Sequence, residues 1–149
     1  MTFFIGIDPG QTGAAVLYDM VQIIDVIDYS DPVMVANQIG SWQYKYDHID
    51  MAILEKVHSM PRQGVSSTFK FGTNFGVWQG ILSAYQIPYE LVTPQKWQKG
   101  LVTKSDGKDA KERSLAVARR FFPGSEYFKR KKDHNRADAA LMAIYASRL

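Results

Sequence analysis

Three acidic residues of this chain stand where a carboxylate is costly unless it has a partner. Asp8 ends the apolar run at residues 3–7, Glu55 ends the apolar run "MAIL", and Asp138 lies on the apolar stripe of a predicted C-terminal helix. Each has a plain structural explanation when taken singly: a turn at Asp-Pro-Gly, a frayed strand end, or an acidic residue near a helix start. Together they indicate a carboxylate cluster, whose mutual repulsion and oxygen ligands favour binding of Mg²⁺ or Mn²⁺.

Hydrophobic spacing predicts how the chain could bring these carboxylates together. Apolar runs predict strands at residues 2–7, 14–18, 21–27, 51–55 and 89–92, and helical periodicity predicts helices at about 30–45, 71–82, 93–97, 109–122 and 134–147. The order β-β-β-α-β-α-β-α-α, which leaves out the short helix at 93–97, predicts one α/β domain over residues 1–149, a mixed five-stranded sheet with helices on both faces. If the first and fourth strands are neighbours, Asp8 and Glu55 end at one edge of the sheet. A helix packed over that edge could then add Asp138.

Local signals give further expectations within these elements. Asp31 and Thr93, each followed by proline, are predicted helix N-caps, and residues 56–68 are predicted to form a loop. Gly72, Gly76 and Gly80 recur every four residues of the predicted helix at 71–82, at a cost of about 1 kcal/mol each relative to Ala. This stripe indicates close approach of another backbone, either the sheet of the same chain or a second copy. On the helix at 109–122, the predicted buried face consists of Ser114, Val117, Ala118 and Phe121.

Basic residues are concentrated in the last third of the chain. Residues 1–92 contain 4 Lys/Arg and 9 Asp/Glu, a net charge of −5, whereas residues 93–149 contain 14 Lys/Arg and 6 Asp/Glu, a net charge of +8. The cations that we expect to contact nucleic acid are Lys96, Lys99, Lys104, Lys108, Lys111, Lys129, Arg130, Lys131, Lys132 and Arg136. A basic surface of this kind beside an acidic region is typical of a protein that binds a polyanion.

The composition excludes several other kinds of site. The chain has no cysteine, which excludes a disulfide-based fold, a thiol nucleophile and a cysteine-ligated zinc site. Its apolar start is too short for a signal peptide, and no uncharged run approaches the length of a membrane span. We therefore expect a cytoplasmic protein without membrane contact.

A fourth ligand could come from the residues before Asp138. His134 lies four residues before Asp138, so both side chains fall on the same helical face. Asp133 lies five residues before Asp138 and points partly away. The sequence favours His134 and leaves Asp133 as the alternative.

The chain resembles the RuvC-type Holliday-junction resolvases of the RNase H-like superfamily, most of all the small phage versions and the chloroplast resolvases. The resemblance runs in order through "GIDPGQTG" (6–13), "AILEKV" (52–57), "FGTNFGVWQGIL" (71–82), "ELVTPQKW" (90–97), "KDAKERSLAVARRFFP" (108–123) and "FKRKKDHNRAD" (128–138). No one of these motifs is decisive, but the ordered set covers nearly the whole chain.

The resemblance implies an RNase H-like fold and a crossover junction endodeoxyribonuclease that uses two metal ions per active site, Mg²⁺ or Mn²⁺. The metal ligands would be Asp8, Glu55 and Asp138, with His134 or Asp133 as the fourth. The expected substrate is branched DNA, above all the four-way junction, and the expected assembly is a homodimer that makes two symmetric nicks. Cleavage would leave a 5′ phosphate and a 3′ hydroxyl.

Three further positions follow from the same resemblance. Lys108 aligns with a functional lysine of the family and would offset charge in the transition state, with Lys96 as the other candidate. Bacterial members carry an acidic residue or His three residues before the last Asp, where this chain has Asn135. Their aromatic junction wedge, three residues after the Glu, corresponds to His58, and Met60 and Phe69 are nearby alternatives.

Other classes of function fit the sequence less well. A broader branched-DNA nuclease of phage replication or packaging is the nearest alternative. A non-catalytic DNA-binding module would be expected to have lost one of the carboxylates. An actin-like phosphotransferase opens with a similar strand and Asp-x-Gly-x-Thr-Gly pattern, but it needs two such domains, which 149 residues cannot hold.

Overall fold

The computed structural model describes residues 1–56 and 62–149. Its strands are β1 (Phe4–Asp8), β2 (Ala14–Tyr18), β3 (Ile23–Asp28), β4 (Met51–Glu55) and β5 (Tyr89–Val92). Its helices are α1 (Pro32–Tyr46), α2 (Val65–Ala84), α3 (Pro94–Gln98), α4 (Ala110–Phe121) and α5 (His134–Ser147), and short 3₁₀ turns lie at Lys104–Asp106, Glu126–Phe128 and Lys131–Asp133. The predicted order of elements is confirmed. None of the described helices is long and apolar enough to cross a membrane.

The five strands form one mixed sheet in the order β3-β2-β1-β4-β5. β1 pairs with β2 and β2 with β3 in antiparallel fashion, whereas β1–β4 and β4–β5 are parallel. Ile7 of β1 is the register partner of Leu54 of β4. The next residue on each strand is acidic, so Asp8 and Glu55 end neighbouring parallel strands at the same edge of the sheet, as predicted.

Helices cover both faces of this sheet because successive side chains of a strand point to opposite sides. On one face, Ile5 and Ile7 pack with α1 and α2 in a buried cluster. On the other face, Phe4 and Ile53 pack with α3, α4 and α5. The prediction of helices on both faces is therefore confirmed.

The small residues of α5 and β1 let this helix lie directly on the sheet. A Cβ on Gly6 would run into the carbonyl oxygen of Ala139 and would come within 2.5 Å of the backbone nitrogen of Ala143. Because Gly6 lies two residues before Asp8 and Ala139 follows Asp138, this close contact brings the start of α5 towards the acidic edge of the sheet. α5 is buried on nearly every side, since α4 covers its outer face.

The predicted N-caps of two helices are confirmed. The side chain of Asp31 accepts a hydrogen bond from the backbone N–H of Met34 at 2.9 Å, and that of Thr93 accepts from the N–H of Lys96 at 3.3 Å. Both satisfy a donor that the first turn of a helix leaves free.

Several boundaries differ from the prediction by one or two residues, and the start of α2 differs by more. α2 begins at Val65, with Gly64 as its N-cap, earlier than predicted. The residues from Val65 to Thr68 form a first turn that faces largely towards solvent, so no apolar periodicity marks them in the sequence. Of the predicted loop at 56–68, residues 57–61 lie outside the described residues. β3 begins at Ile23 rather than Val21, because the carboxylate of Asp19 accepts the N–H groups of Val21 and Gln22 and closes a turn there.

One of the two alternatives for the α2 glycines is wrong, and so is one member of the predicted face of α4. Among the described residues, nothing outside α2 lies within 4 Å of a Cβ built on Gly72, Gly76 or Gly80, so these glycines do not pack against the described sheet of their own chain. On α4, Phe121 is 40% exposed, and Leu115 takes its place on the buried face. Phe121 is the last residue of α4, and the guanidinium of Arg148, the C-cap of α5, lies 5.6 Å from its ring centroid.

Candidate active site

Asp8 is a buried carboxylate at the end of the central strand. Its exposed fraction is 8%, and its Oδ1 accepts the N–H of Gly10 at 3.0 Å. Burial raises the pKa of the Asp8 carboxyl to about 6, and the hydrogen bond from Gly10 opposes that rise. The Asp-Pro-Gly turn therefore exists, but it leaves the second oxygen of a buried carboxylate without a partner among the described residues.

Glu55 lies beside Asp8 at the end of β4. Its Oε2 accepts the indole N–H of Trp97 at 2.8 Å. Burial, followed by the negative charge of Asp8, raises the pKa of Glu55 to about 7, whereas the bond from Trp97 lowers it. The charge effect shows that these two carboxyl groups lie within electrostatic reach of each other.

Asp138 completes the group from the first turns of α5. Burial, and then the charges of Asp8 and Glu55, raise the pKa of Asp138 well above its ordinary value, and a hydrogen bond from Ser114 of α4 lowers it. The structure thus brings all three predicted carboxylates to one end of the sheet, where each acts on the charge of the others. Sequence reasoning placed Ser114 on the buried face of α4 but missed its contact with Asp138.

The donor chemistry of this cluster suits a hard divalent cation, since carboxylate oxygens are the ligands that Mg²⁺ and Mn²⁺ prefer. Within residues 1–56 and 62–149, however, no three His, Asp or Glu side chains are already arranged closely enough to hold an ion. Each carboxylate instead accepts a hydrogen bond from its own donor. Asp8 accepts from the backbone N–H of Gly10, Glu55 from the indole N–H of Trp97, and Asp138 from the side chain of Ser114. Their role as metal ligands remains a prediction.

The two candidates for a fourth ligand interact with residues outside this cluster. Asp133 is buried and pairs with Arg130 at 2.8 Å and with Arg136 at 3.7 Å. Although burial acts in the opposite direction, the bonds from Arg130 hold the pKa of Asp133 below its ordinary value. Burial and the nearby Lys111 lower the pKa of His134, which faces the start of α4.

Asn135 connects the first turn of α5 to the loop after β1, a contact that sequence reasoning missed. Its Nδ2 donates to the backbone oxygen of Thr12 at 2.6 Å and to the Thr12 hydroxyl at 2.8 Å. Asn135 therefore holds the Asp8 loop against the helix that carries Asp138. Its position one turn before Asp138 was the available signal.

A basic cavity of about 550 Å³ opens between the start of α4 and the turn before α5. Its lining comprises Lys108, Asp109, Lys111, Glu112, Leu115, Lys131, Lys132 and His134. Because α4 also carries Ser114, the partner of Asp138, this cavity and the carboxylate cluster are joined by one helix.

The structure separates the predicted DNA-binding cations into two groups. Within the described chain, ion pairs engage Lys129 with Glu126, Arg130 with Asp133, and Arg136 with both Asp28 and Asp133. Arg136 is only 18% exposed and holds Asp28 in a two-point contact, so its guanidinium already has partners inside the protein. The cations without an ion pair among the described residues are Lys96, Lys99, Lys104, Lys108, Lys111, Lys131 and Lys132.

Phe69 is the wedge candidate whose position can be described. It is 75% exposed on α2 and lines a cavity of about 310 Å³ with Gln11, three residues after Asp8, and with Lys70. His58 and Met60, the other two candidates, lie outside the described residues.

Comparison with known proteins gives one sequence relative. The chain is 34% identical over 89 residues to the chloroplastic Holliday junction resolvase MOC1 of Chlamydomonas reinhardtii. The match covers 58% of this chain but only 10% of the relative, so the chain spans about a tenth of that protein's length. No protein-family model matches the chain.

Solved structures with the same fold cover almost the whole chain. RuvC of Thermus thermophilus in complex with a Holliday junction substrate has a TM-score of 0.69 at 16% identity, over 99% of this chain and 93% of RuvC. A second Thermus thermophilus RuvC structure has a TM-score of 0.67 at 17% identity, over 98% and 93% of the two chains. The chain therefore has the RNase H-like fold of RuvC that its sequence predicts.

Proposed function

We propose that this chain is a metal-dependent, structure-selective DNA endonuclease that resolves four-way junctions by paired symmetric nicks. The observation that carries the proposal is the convergence of Asp8, Glu55 and Asp138 at one end of a RuvC fold, where their charges act on one another. The similarity of part of the chain to a chloroplastic Holliday junction resolvase supports the choice of substrate.

The acidic cluster would hold Mg²⁺ or Mn²⁺, two ions per active site. Bound there, such ions would lower the pKa of a water and neutralise charge on the leaving oxygen. The three carboxylates would supply the oxygen ligands. The hydrogen bonds that they accept from Gly10, Trp97 and Ser114 would fix their orientation. For the fourth ligand we keep His134 ahead of Asp133, because Asp133 already pairs with two arginines.

The lysines would bind the phosphate backbone without reading sequence. Lys108 lies just before α4, and its backbone N–H donates to Glu112 Oε2 at 2.9 Å, which fixes its backbone. Its side chain is exposed and has no ion pair among the described residues, so its ammonium could reach a phosphate. Lys111, Lys131 and Lys132 line the same basic cavity and would guide the strand past the carboxylates. Arg136 is left out of the proposed contacts because Asp28 occupies it.

A homodimer would supply the second active site that paired nicks require. The exposed side of α2 carries Gly72, Gly76 and Gly80, and a Cβ built on each would meet none of the described residues outside α2, so a partner backbone could come close there. Phe69 lies near the start of that helix and lines a cavity with Gln11 of the loop after Asp8. It would stack on an unpaired base at the branch point.

A cleavage assay on a synthetic four-way junction tests the proposal. Each strand is labelled in turn, linear duplex and a flap of matching sequence run in parallel, and reactions contain either Mg²⁺ or EDTA. We expect Mg²⁺-dependent cuts at symmetric positions in two opposing strands, with 5′ phosphate ends, and little cleavage of the duplex. Asp8→Asn, Glu55→Gln and Asp138→Asn should each abolish cleavage and retain junction binding, whereas the surface control Asp19→Asn should cut normally.

The pattern of products decides among the alternatives. Equal cleavage of junction and flap would favour a broader branched-DNA nuclease. Junction binding without cleavage under any metal condition would favour a binding module. Full cleavage by the Asp8→Asn protein would remove Asp8 from the reaction.

A further inference from the structure

Trp97 lies directly behind Glu55. Its side chain is fully buried, and its Nε1 donates to Glu55 Oε2 at 2.8 Å. The indole packs in the same cluster as Ile53 of β4 and Met142 of α5, which fixes its plane between the two elements that carry Glu55 and Asp138. We propose that Trp97 is a positioning residue that holds Glu55 for metal binding through this one hydrogen bond.

The chemistry of the indole explains why it suits this task. The indole N–H can only donate, so it selects a carboxylate oxygen and cannot compete for a cation. With Oε2 held by Trp97, the other oxygen of Glu55 is the one left to face Asp8 and a metal ion. Without this donor, nothing among the described residues hydrogen-bonds the Glu55 carboxylate, so its rotamer would no longer be fixed before a metal ion binds.

Trp97 also connects the metal cluster to the proposed DNA surface. It belongs to the five-residue helix α3, which Thr93 caps and on which Lys96 is exposed. A phosphate bound to Lys96 would therefore contact the same short helix whose Trp97 orients Glu55. This coupling makes α3 part of the active site although none of its side chains is a proposed metal ligand.

The chain contains a matched control for this interaction. Trp42 of α1 is also buried, and its Nε1 donates to the carboxylate of Asp25 at 2.9 Å, on the other face of the sheet. Trp97→Phe and Trp42→Phe each remove one indole–carboxylate hydrogen bond and retain an aromatic ring. Only Trp97→Phe removes the bond to a proposed metal ligand.

The inference rests on the proposed function, and Mn²⁺ binding measured by calorimetry without DNA tests the two separately. We expect Trp97→Phe to weaken Mn²⁺ affinity at least tenfold, which is the usual effect of replacing a residue that hydrogen-bonds a metal ligand. Trp42→Phe should leave Mn²⁺ affinity unchanged. Unchanged Mn²⁺ affinity in Trp97→Phe, or equal loss in both variants, overturns the inference. Unchanged affinity in Glu55→Gln would remove Glu55 from the metal site and overturn both claims.

A second measurement leaves Trp97 intact and covers the case in which Trp97→Phe fails to fold. The chain has three tryptophans, so the double variant Trp42→Phe/Trp78→Phe retains Trp97 alone. We expect Mg²⁺ to shift its emission, and the further change Glu55→Gln to abolish that shift. Emission that stays constant while calorimetry detects bound Mg²⁺ overturns the inference.

Discussion

Replacing Asp8 with Asn should stabilise the metal-free protein at neutral pH. Asn keeps the shape of the side chain and can still accept the N–H of Gly10, but it carries no charge into a buried site. In the wild type, burial raises the pKa of Asp8 from 3.8 to about 6. The folded state therefore holds a proton that the unfolded chain releases, and ionised Asp8 opposes folding.

The size and pH range of the effect follow from that difference in pKa. Well below pH 3.8, Asp8 is protonated in both states and the variant should gain nothing. As pH rises towards 6, the unfolded chain ionises freely and the folded protein does not, so the wild type loses stability relative to Asp8→Asn. Above pH 7 the gain should level off at about 3 kcal/mol, since a tenfold change in proton affinity corresponds to about 1.4 kcal/mol.

Urea denaturation in EDTA at pH 3 to 8 measures this curve, and a gain of that size would move the midpoint by about 1 M or more. Asp28→Asn is the control of opposite sign, because the bond from Arg136 lowers the pKa of Asp28 and its charge stabilises the fold above its ordinary pKa. That variant should lose stability at pH 8 and recover towards pH 3. A stability difference for Asp8→Asn that does not depend on pH would refute the buried-charge account.

Three further changes test other parts of the account. Lys108→Ala should lower the single-turnover rate of cleavage at saturating DNA by tenfold or more, whereas Lys96→Ala should mainly weaken DNA binding and reduce its salt dependence. A loss of DNA affinity alone in Lys108→Ala would contradict a role at the transition state. Gly6→Ala should cost about 3 kcal/mol or more in urea denaturation, because its Cβ meets the carbonyl oxygen of Ala139, and wild-type stability would contradict that contact. Gly76→Leu should fold but sediment as a monomer on junction DNA and lose paired nicks, and a fully active dimer would place the interface elsewhere.

The fold was largely predictable because its signals are local and repeated. The apolar runs that end at Asp8 and Glu55 gave strands of nearly the observed length, and the helix predicted at 134–147 has the observed bounds. The start of α2 was missed because Val65 and its neighbours face solvent and follow no apolar period. Periodicity detects only the part of a helix that packs on something.

The acidic cluster was predictable in its members but not in its surroundings. Asp8, Glu55 and Asp138 stood out because charge is unexpected at the end of an apolar run. The partners of these carboxylates come from distant parts of the chain: the bond between Trp97 and Glu55 spans 42 residues. The pairing of Arg136 with Asp28 across 108 residues has no local signal either, so the sequence could not show that this arginine has an ion-pair partner inside the protein.

Cleavage of a supercoiled plasmid that extrudes a cruciform tests the central claim most directly, because it separates single nicks from resolution. We expect the wild-type protein with Mg²⁺ to convert the plasmid to linear molecules whose two cuts lie at symmetric positions across the junction. We also expect Asp8→Asn to leave the plasmid supercoiled while still binding it. Nicked circles that accumulate without linear product, or linear product formed equally well by Asp8→Asn, would contradict a junction resolvase built on these three carboxylates.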